Sequence, residues 1–422
     1  MTSLLAAALL LVAGSGPVLT LDEAVRAARQ GQPALRQARA ATAASEARSD
    51  GARAGLMPRL DANLGYQRLS SNGAAYAVPD SWSSTGRWNA GATASMTVWD
   101  FGGTIGRYRA ARESANAQQA TERATTAEVL LNVRTAFFAA RARKDLVTVA
   151  EETLVNQEAH LKQIQGFVEV GTRPEIDLAQ ARTERANAEV SRIGAFANYQ
   201  TAKAQLNQAM GIEASTEFDV ANDQLPAVDG EEASIDTLFD EALKARPEVA
   251  ALEAQQRSRE NSVTSARGGW FPSLGVSAGV NDTGPDITAG KSLTWNWNAG
   301  ATLIWNLFQG GLTRSLVGEA EAGLETVKAQ LATLRLQVRL ELEQARFAVS
   351  SARAKLVATG EALAASRDRL RLAEGRYNAG SGSALELGDA QLQVTLAGAQ
   401  RVGAEYDLSS ARAQLMVSLG RQ

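Results

Sequence analysis

Residues 293–305 read LTWNWNAGATLIW, and their alternation decides what kind of chain this is. Leu293, Trp295, Trp297, Ala299, Ala301, Leu303 and Trp305 fall on odd positions. Thr294, Asn296, Asn298, Gly300 and Thr302 fall on even ones, with Ile304 the exception. A period of two puts the two sets on opposite faces of a β-strand. A strand of roughly 10 residues, apolar on one face and small or polar on the other, suits a membrane barrel. Taken alone it would serve equally as a strand of a soluble sandwich.

The pattern returns three times. Residues 87–99 put Trp88, Ala90, Ala92, Ala94, Met96 and Val98 on one face, and the six residues from Trp88 to Thr93 recur letter for letter from Trp297 to Thr302, 209 positions on. Leu60, Ala62, Leu64 and Tyr66 alternate with Asp61, Asn63, Gly65 and Gln67, and Leu274, Val276, Ala278 and Val280 alternate with serines and glycines. The expectation is four strands in two hairpins, each after a proline (Pro58, Pro272) and each ending at a glycine pair (Gly102-Gly103, Gly310-Gly311). All seven tryptophans lie within 82–99 or 270–305. Such confinement fits aromatic girdles at bilayer interfaces, with Trp88, Trp99, Trp295, Trp297 and Trp305 as members.

The rest of the composition narrows the function. A formal net charge of −3 in 422 residues suggests no nucleic-acid footprint. The absence of cysteine excludes disulfides, thiolate metal sites and a cysteine nucleophile. The single histidine, His160, lies mid-helix between heptad positions and reads as a solvated helix-face residue. No catalytic constellation and no cofactor site is expected. Leu4 to Ala13 is apolar and is followed by Gly14, Ser15 and Gly16, so residues 1–18 read as a secretory signal, although no basic residue precedes the run. No other stretch approaches the length of a membrane-spanning helix.

The chain is an internal repeat. Asp22-Glu-Ala-Val25 with Pro33 matches Asp240-Glu-Ala-Leu243 with Pro247; Gly171 to Ala181 matches Gly380 to Ala390; Ala204-Gln-Leu206 with Gly211 matches Ala413-Gln-Leu415 with Gly420. The copies are placed at 19–215, with a hairpin about 59–100, and at 234–422, with a hairpin about 273–308. Residues 216–233, holding Pro226 and the acidic Asp229, Glu231 and Glu232, join them and read best as a solvated connector, the alternative being a segment laid against the helices. Val133, Ala140, Val147, Leu154, Leu161 and Val168 are spaced by seven. Leu342, Val349, Leu356, Leu363, Leu370 and Tyr377 repeat that spacing 209 residues later. A sustained heptad means helices packed as a left-handed coiled coil.

Four strands cannot close a barrel, and an open edge cannot face lipid. Two chains would give 8 strands with a filled interior, whereas three give 12 and room for a lumen. The small polar inward faces favour three. At this point the chain resembles the TolC family of outer-membrane efflux proteins over nearly its whole length, on the proline–hairpin–glycine repeats at 58–103 and 272–311 and the turn motifs at 171–181 and 380–390. The resemblance implies a mainly α fold with a small membrane β part. Two tandem repeats would trimerise into a 12-stranded β-barrel continuous with a 12-helix α-barrel. It further implies an outer-membrane exit duct for a tripartite efflux pump or type I secretion system. The partners would be a periplasmic adaptor (membrane fusion) protein and an inner-membrane pump of RND, ABC or MFS type. The competing expectation is a coiled-coil scaffold without a pore.

The turns are then the working end. Gly171, Thr172, Gly380 and Ser381 are the expected adaptor-docking tips. Glu386 and Asp389, three apart at the start of a helix, share a face. They read equally as ordinary acidic bias at a helix start, and the resemblance makes them an aperture ring that attracts cations. It also makes Asp177 and Tyr377, with Arg173, a latch. The family pattern expects a basic residue where this chain has Gly382; the arginine stands in the other copy, at Arg173.

Overall fold

A computed structural model describes residues 17–72, 82–285 and 295–421. The expected signal at 1–18 lies almost wholly outside them, as do Leu293 and Thr294 of the diagnostic strand. In chain order the elements are β1 (Val18–Leu19), α1 (Leu21–Gly31), α2 (Pro33–Ala54), β2 (Arg59–Asn72), β3 (Trp82–Trp99), α3 (Gly103–Glu169) and α4 (Glu175–Met210). There follow β4 (Asp219–Val220), α5 (Ile235–Ala245), α6 (Pro247–Gly268), β5 (Ser273–Pro285), β6 (Trp295–Ile304), α7 (Leu312–Asn378) and α8 (Ala384–Ser418). α3 and α7 have 67 residues each, about 100 Å of continuous helix. No described helix is long and apolar enough to cross a membrane.

The chain divides into two compact units that do not follow the repeat boundaries: both copies contribute to each. One, residues 40–121 and 248–333, holds an antiparallel sheet in the order β2-β3-β5-β6. The two hairpins are joined through β3 and β5 into one sheet. Register keeps the faces pure: Leu60, Ala94, Ala278 and Ala299 pair across the sheet, as do Ala62, Ala92, Val280 and Trp297. The next row, on the opposite face, is Asn63, Gly91, Asn281 and Asn296. Since a slip of one residue would exchange the faces, this pairing is what the alternation demands. An irregularity between Thr97 and Trp99 brings Trp99, of the opposite parity, opposite Leu274 in the apolar set. α6 lies on the first turns of α3, where Gly106 permits the approach: a Cβ there would stand 2.9 Å from Asn261 O. Ser265 donates to Gly103 O at 2.7 Å and Arg257 pairs with Glu113 at 2.9 Å.

The other unit, whose described residues are 17–39, 122–247 and 334–421, is helical apart from the short β1 and β4. Its two largest cores are copies of each other. Ala24, Ala28, Val133, Ala140, Leu206 and Met210 in the first correspond to Leu238, Ala242, Leu342, Val349, Leu415 and Leu419 in the second. The connector is laid against the helices at fixed points, which corrects the solvated reading, although Asp229 and Glu232 remain exposed. β4 pairs in parallel with β1, and Val220 is fully buried. Lys144 Nζ and the Tyr199 hydroxyl each stand 2.6 Å from the Asp219 carboxylate. Desolvation pushes that carboxyl up, but these hydrogen bonds and the Lys144 charge outweigh it and hold it below its ordinary value. Farther on, the nearly buried Glu231 carboxylate pairs with Arg353 of α7 and with Arg412 of α8, the latter at 3.4 Å. Asp219 and Glu231, which look like solvent-facing spacers, are therefore the anchors that bind this segment to the helices.

Candidate functional site

The turn between each pair of long helices is built to one design. α3 ends at Glu169 and the chain reverses at Gly171 with φ +77°; α7 ends at Asn378 and reverses at Gly380 with φ +73°. This left-handed conformation favours glycine, which has no Cβ to collide with the carbonyl. Thr172 closes the last turn of α3 by donating its N–H and its hydroxyl to Phe167 O, at 2.9 and 2.8 Å. Ser381, 209 positions on, donates the same two groups to Arg376 O at 2.9 and 3.2 Å. Gly171, Thr172, Gly380 and Ser381 are all exposed.

The returning helices start unlike each other. Ser383 caps α8 by accepting from Glu386 N–H at 3.2 Å, while Pro174 begins α4 with no side-chain cap. Gly382 is buried, and a Cβ on it would stand 2.9 Å from Tyr377 N and 3.1 Å from Arg376 C. In this conformation the position has no room for the basic side chain that the resemblance expects.

Arg173 instead stands over the Tyr377 ring, its guanidinium carbon 4.6 Å from the centroid, a cation–π contact. Tyr377 is 1% exposed and sits among Ile164, Ala181, Ala373, Leu387 and Ala390. Its hydroxyl is buried with no hydrogen-bond partner among the described residues. Desolvation raises its pKa, Arg173 opposes the rise and the Asp177 carboxylate adds to it. Arg173, Asp177 and Tyr377, singled out together, thus lie at one place in one chain.

The sequence reading missed the fourth member. His160 is not a solvated helix-face residue: it is 6% exposed and meets the Tyr377 ring edge-on, centroids 5.6 Å apart. Desolvation lowers its pKa, against the pull of Glu184 and Asp177. The spacing of 160 from its heptad neighbours gave no signal, because the aromatic that covers it comes from the other copy.

Glu386 and Asp389 part company. Glu386 pairs with Arg376 Nη1 at 2.9 Å. Asp389 is exposed, has no ion pair or hydrogen bond among the described residues, and lines a cleft of about 680 Å³ between α3, α4 and α8 with Gln180, Glu184 and Asn187. The floor of that cleft is the α3·α8 seam, held by Thr153 and Thr395 with hydroxyls 3.0 Å apart and by a buried Gln157–Gln391 hydrogen bond of 2.9 Å. Among the described residues no group of three or more histidine, aspartate or glutamate side chains could hold a metal ion.

In the sheet-bearing unit, of the tryptophans expected in a girdle, Trp99 ends β3, Trp305 follows β6 and Trp295 begins it, while Trp88 lies inside β3. Trp99 meets Phe101 edge-on at 5.9 Å, Phe101 stacks on Phe271 at 4.7 Å, and Trp305 Nε1 donates to Trp270 O at 3.2 Å. These rings are at least two-fifths exposed, as are Trp295 and Trp297 on β6, whereas Trp88 on β3 is half-buried. Phe101 holds a left-handed φ of +51° and Gly310, at the matching turn, holds +60°; the stack on Phe271 offsets the strain that glycine avoids.

The model of the outer membrane efflux protein family matches residues 24–212 and 238–421, nearly all of both copies. The toluene efflux pump outer membrane protein TtgC of Pseudomonas putida is 24% identical over 388 residues, covering 87% of this chain and 76% of the relative. The pyoverdine export outer membrane protein OpmQ of Pseudomonas aeruginosa is 27% identical over 384 residues, covering 86% and 76%. Among solved structures, the CmeC outer membrane channel of Campylobacter jejuni superposes with a TM-score of 0.83 at 18% identity, over 95% of this chain and 85% of that one. At such identity the superposition establishes the fold.

Proposed function

The chain belongs to the outer membrane efflux protein family, and from that premise we propose that three copies complete one exit duct. Its place is the outer membrane and its work is efflux, which sets aside the scaffold without a pore. The observation that carries the trimer is the sheet itself. Among the described residues no strand lies beyond β2 or beyond β6. Leu60, Leu64, Trp295 and Trp297 on these outer strands are more than three-fifths exposed. Backbone groups on an edge in lipid have no water to turn to, so each edge must pair with another chain. Three four-stranded sheets give 12 strands around a lumen faced by the Asn63–Gly91–Asn281–Asn296 row. The α3, α4, α7 and α8 helices of three chains supply 12 helices for the conduit.

A relative named as the outer membrane protein of an efflux pump supports the remaining partners: a periplasmic adaptor reading the exposed turns at Thr172 and Ser381, and an inner-membrane pump behind it. Density fractionation, native mass in detergent and planar-bilayer conductance test the reading together. An outer-membrane trimer that conducts is expected. A detergent-solubilised monomer that retains its full strand content would overturn it.

A further inference from the structure

On the polar face of the sheet, three glycines lie under asparagine side chains of a neighbouring strand. Gly65 pairs with Asn89, Gly91 with Asn63 and Gly279 with Asn298. A Cβ on Gly65 would stand 2.5 Å from Asn89 Oδ1, one on Gly91 3.0 Å from Asn63 Oδ1, and one on Gly279 3.1 Å from Asn298 Oδ1. Each carboxamide thus occupies the space that a side chain on its partner would take. The backbone does not ask for glycine here. None of the three has the left-handed φ of Gly102 or Gly310, and the register runs unbroken through them. Glycine inside a strand weakens it, having more freedom to lose and no side chain to pack. What these glycines provide is room for the carboxamides. The shorter serine makes no such use of a glycine: a Cβ on Gly300, opposite Ser277, would meet nothing within 4 Å.

We propose that Asn63, Asn89 and Asn298 set the width of the bore: folded flat over glycine, they keep its wall shallow, so this part of the duct sorts cargo by bulk and not by charge. This rests on the proposed trimer, in which that face lines the lumen. The carboxamides fall in three successive rows: Gly65–Asn89–Thr283, Asn63–Gly91–Asn281–Asn296 and Asp61–Thr93–Gly279–Asn298. Among the described residues Asp61 is the one charge in these rows, and Arg59 pairs with it at 2.8 Å. A carboxamide carries no charge and both donates and accepts hydrogen bonds, so it meets hydrated solutes of either sign alike. A side chain in place of Gly65 would force the Asn89 carboxamide off the wall. Closure by three chains would then put three such groups at one level of the lumen. Gly65, Gly91 and Gly279 therefore act on passage through the asparagines they seat, as positioning residues that hold the bore open.

The chain has no cysteine, so one reporter thiol can be placed behind the three rows. Ser277 lies on the same face, one row nearer the helices, opposite Ser95 and Gly300. A bulky reagent added outside intact cells reaches Ser277→Cys only by passing the asparagines. A small methanethiosulfonate and a maleimide carrying a polyethylene glycol chain, the longest that still enters, will both label it. Gly65→Ala in that background will slow the polymer several-fold and leave the small reagent at its former rate. The fold will tolerate this change, because the three atoms nearest the new methyl all belong to the Asn89 side chain. Adding Asn89→Ala will restore the polymer rate. Cationic and anionic methanethiosulfonates will react alike. An unchanged polymer rate in Gly65→Ala, slowing that Asn89→Ala does not relieve, or slowing that the small reagent shares overturns the role of the carboxamides and leaves the duct standing. A strong preference for one sign of charge overturns sorting by bulk alone. If Val276→Cys, on the opposite face, reacts with the small reagent while Ser277→Cys does not, the lumen itself is misplaced and both readings fall.

Discussion

His160 and Gly382 show what single positions do at the turns. Burial depresses the His160 pKa, so the folded protein binds fewer protons there than the unfolded chain. The stability this neutral imidazole contributes is present above the unfolded pKa of about 6.5 and is lost as pH falls through and below it. Thermal unfolding at pH 7.5 and 5.5 should show a loss in the wild type that His160→Gln reduces, and hydrogen exchange should place the acid-sensitive amides around 160–178 and 373–390. Equal pH dependence in the two proteins would refute this. At Gly382 the prediction is steric. A methyl 2.9 Å from the Tyr377 amide forces backbone to move, at a cost of about 1–3 kcal/mol, so Gly382→Ala should melt lower and expose Tyr377 to solvent fluorescence quenchers. Neither property could be read from the sequence. A lone histidine on a helix carries no mark of the ring that will cover it, and a glycine two places after a helix-ending glycine looks like more of the same turn.

At the scale of elements, periodicity was legible wherever one face of an element meets one kind of surroundings. The strands could be placed to within a few residues because their faces alternate, and the register then aligned apolar with apolar across four strands. Trp99 could not, since strict alternation assigns it to the polar side and only the irregularity after Thr97 brings it opposite Leu274. The connector failed for a different reason. Its charges bind arginines far away in sequence, Arg353 and Arg412, and composition cannot distinguish an acidic residue awaiting such partners from one in water. Glu231→Ala should release the segment: amides near 226–233 should exchange on the order of tenfold faster, with the α3–α4 side, anchored separately through Asp219, unchanged. Faster exchange spread evenly over the whole chain would argue against two independent anchors.

For the proposed trimer with Glu386 and Asp389 at its aperture, the deciding question is which charges the duct presents to what passes through it. The sequence paired Glu386 with Asp389 as equals, yet Glu386 is already balanced by Arg376 at 2.9 Å. Asp389 has no such counter-charge among the described residues and is exposed. A carboxylate neutralised by its own chain adds little to the field in a lumen, whereas an open one is worth about 1 kcal/mol to a monovalent cation at roughly 4 Å in water, once for each subunit. Asp389→Asn should therefore lower cation-over-anion permeability and weaken block by multivalent cations. Glu386→Gln should lower it less. Reversal potentials in asymmetric salt across planar bilayers separate the two variants. The assignment fails if Glu386→Gln lowers cation preference more than Asp389→Asn, or if both leave it at the wild-type value.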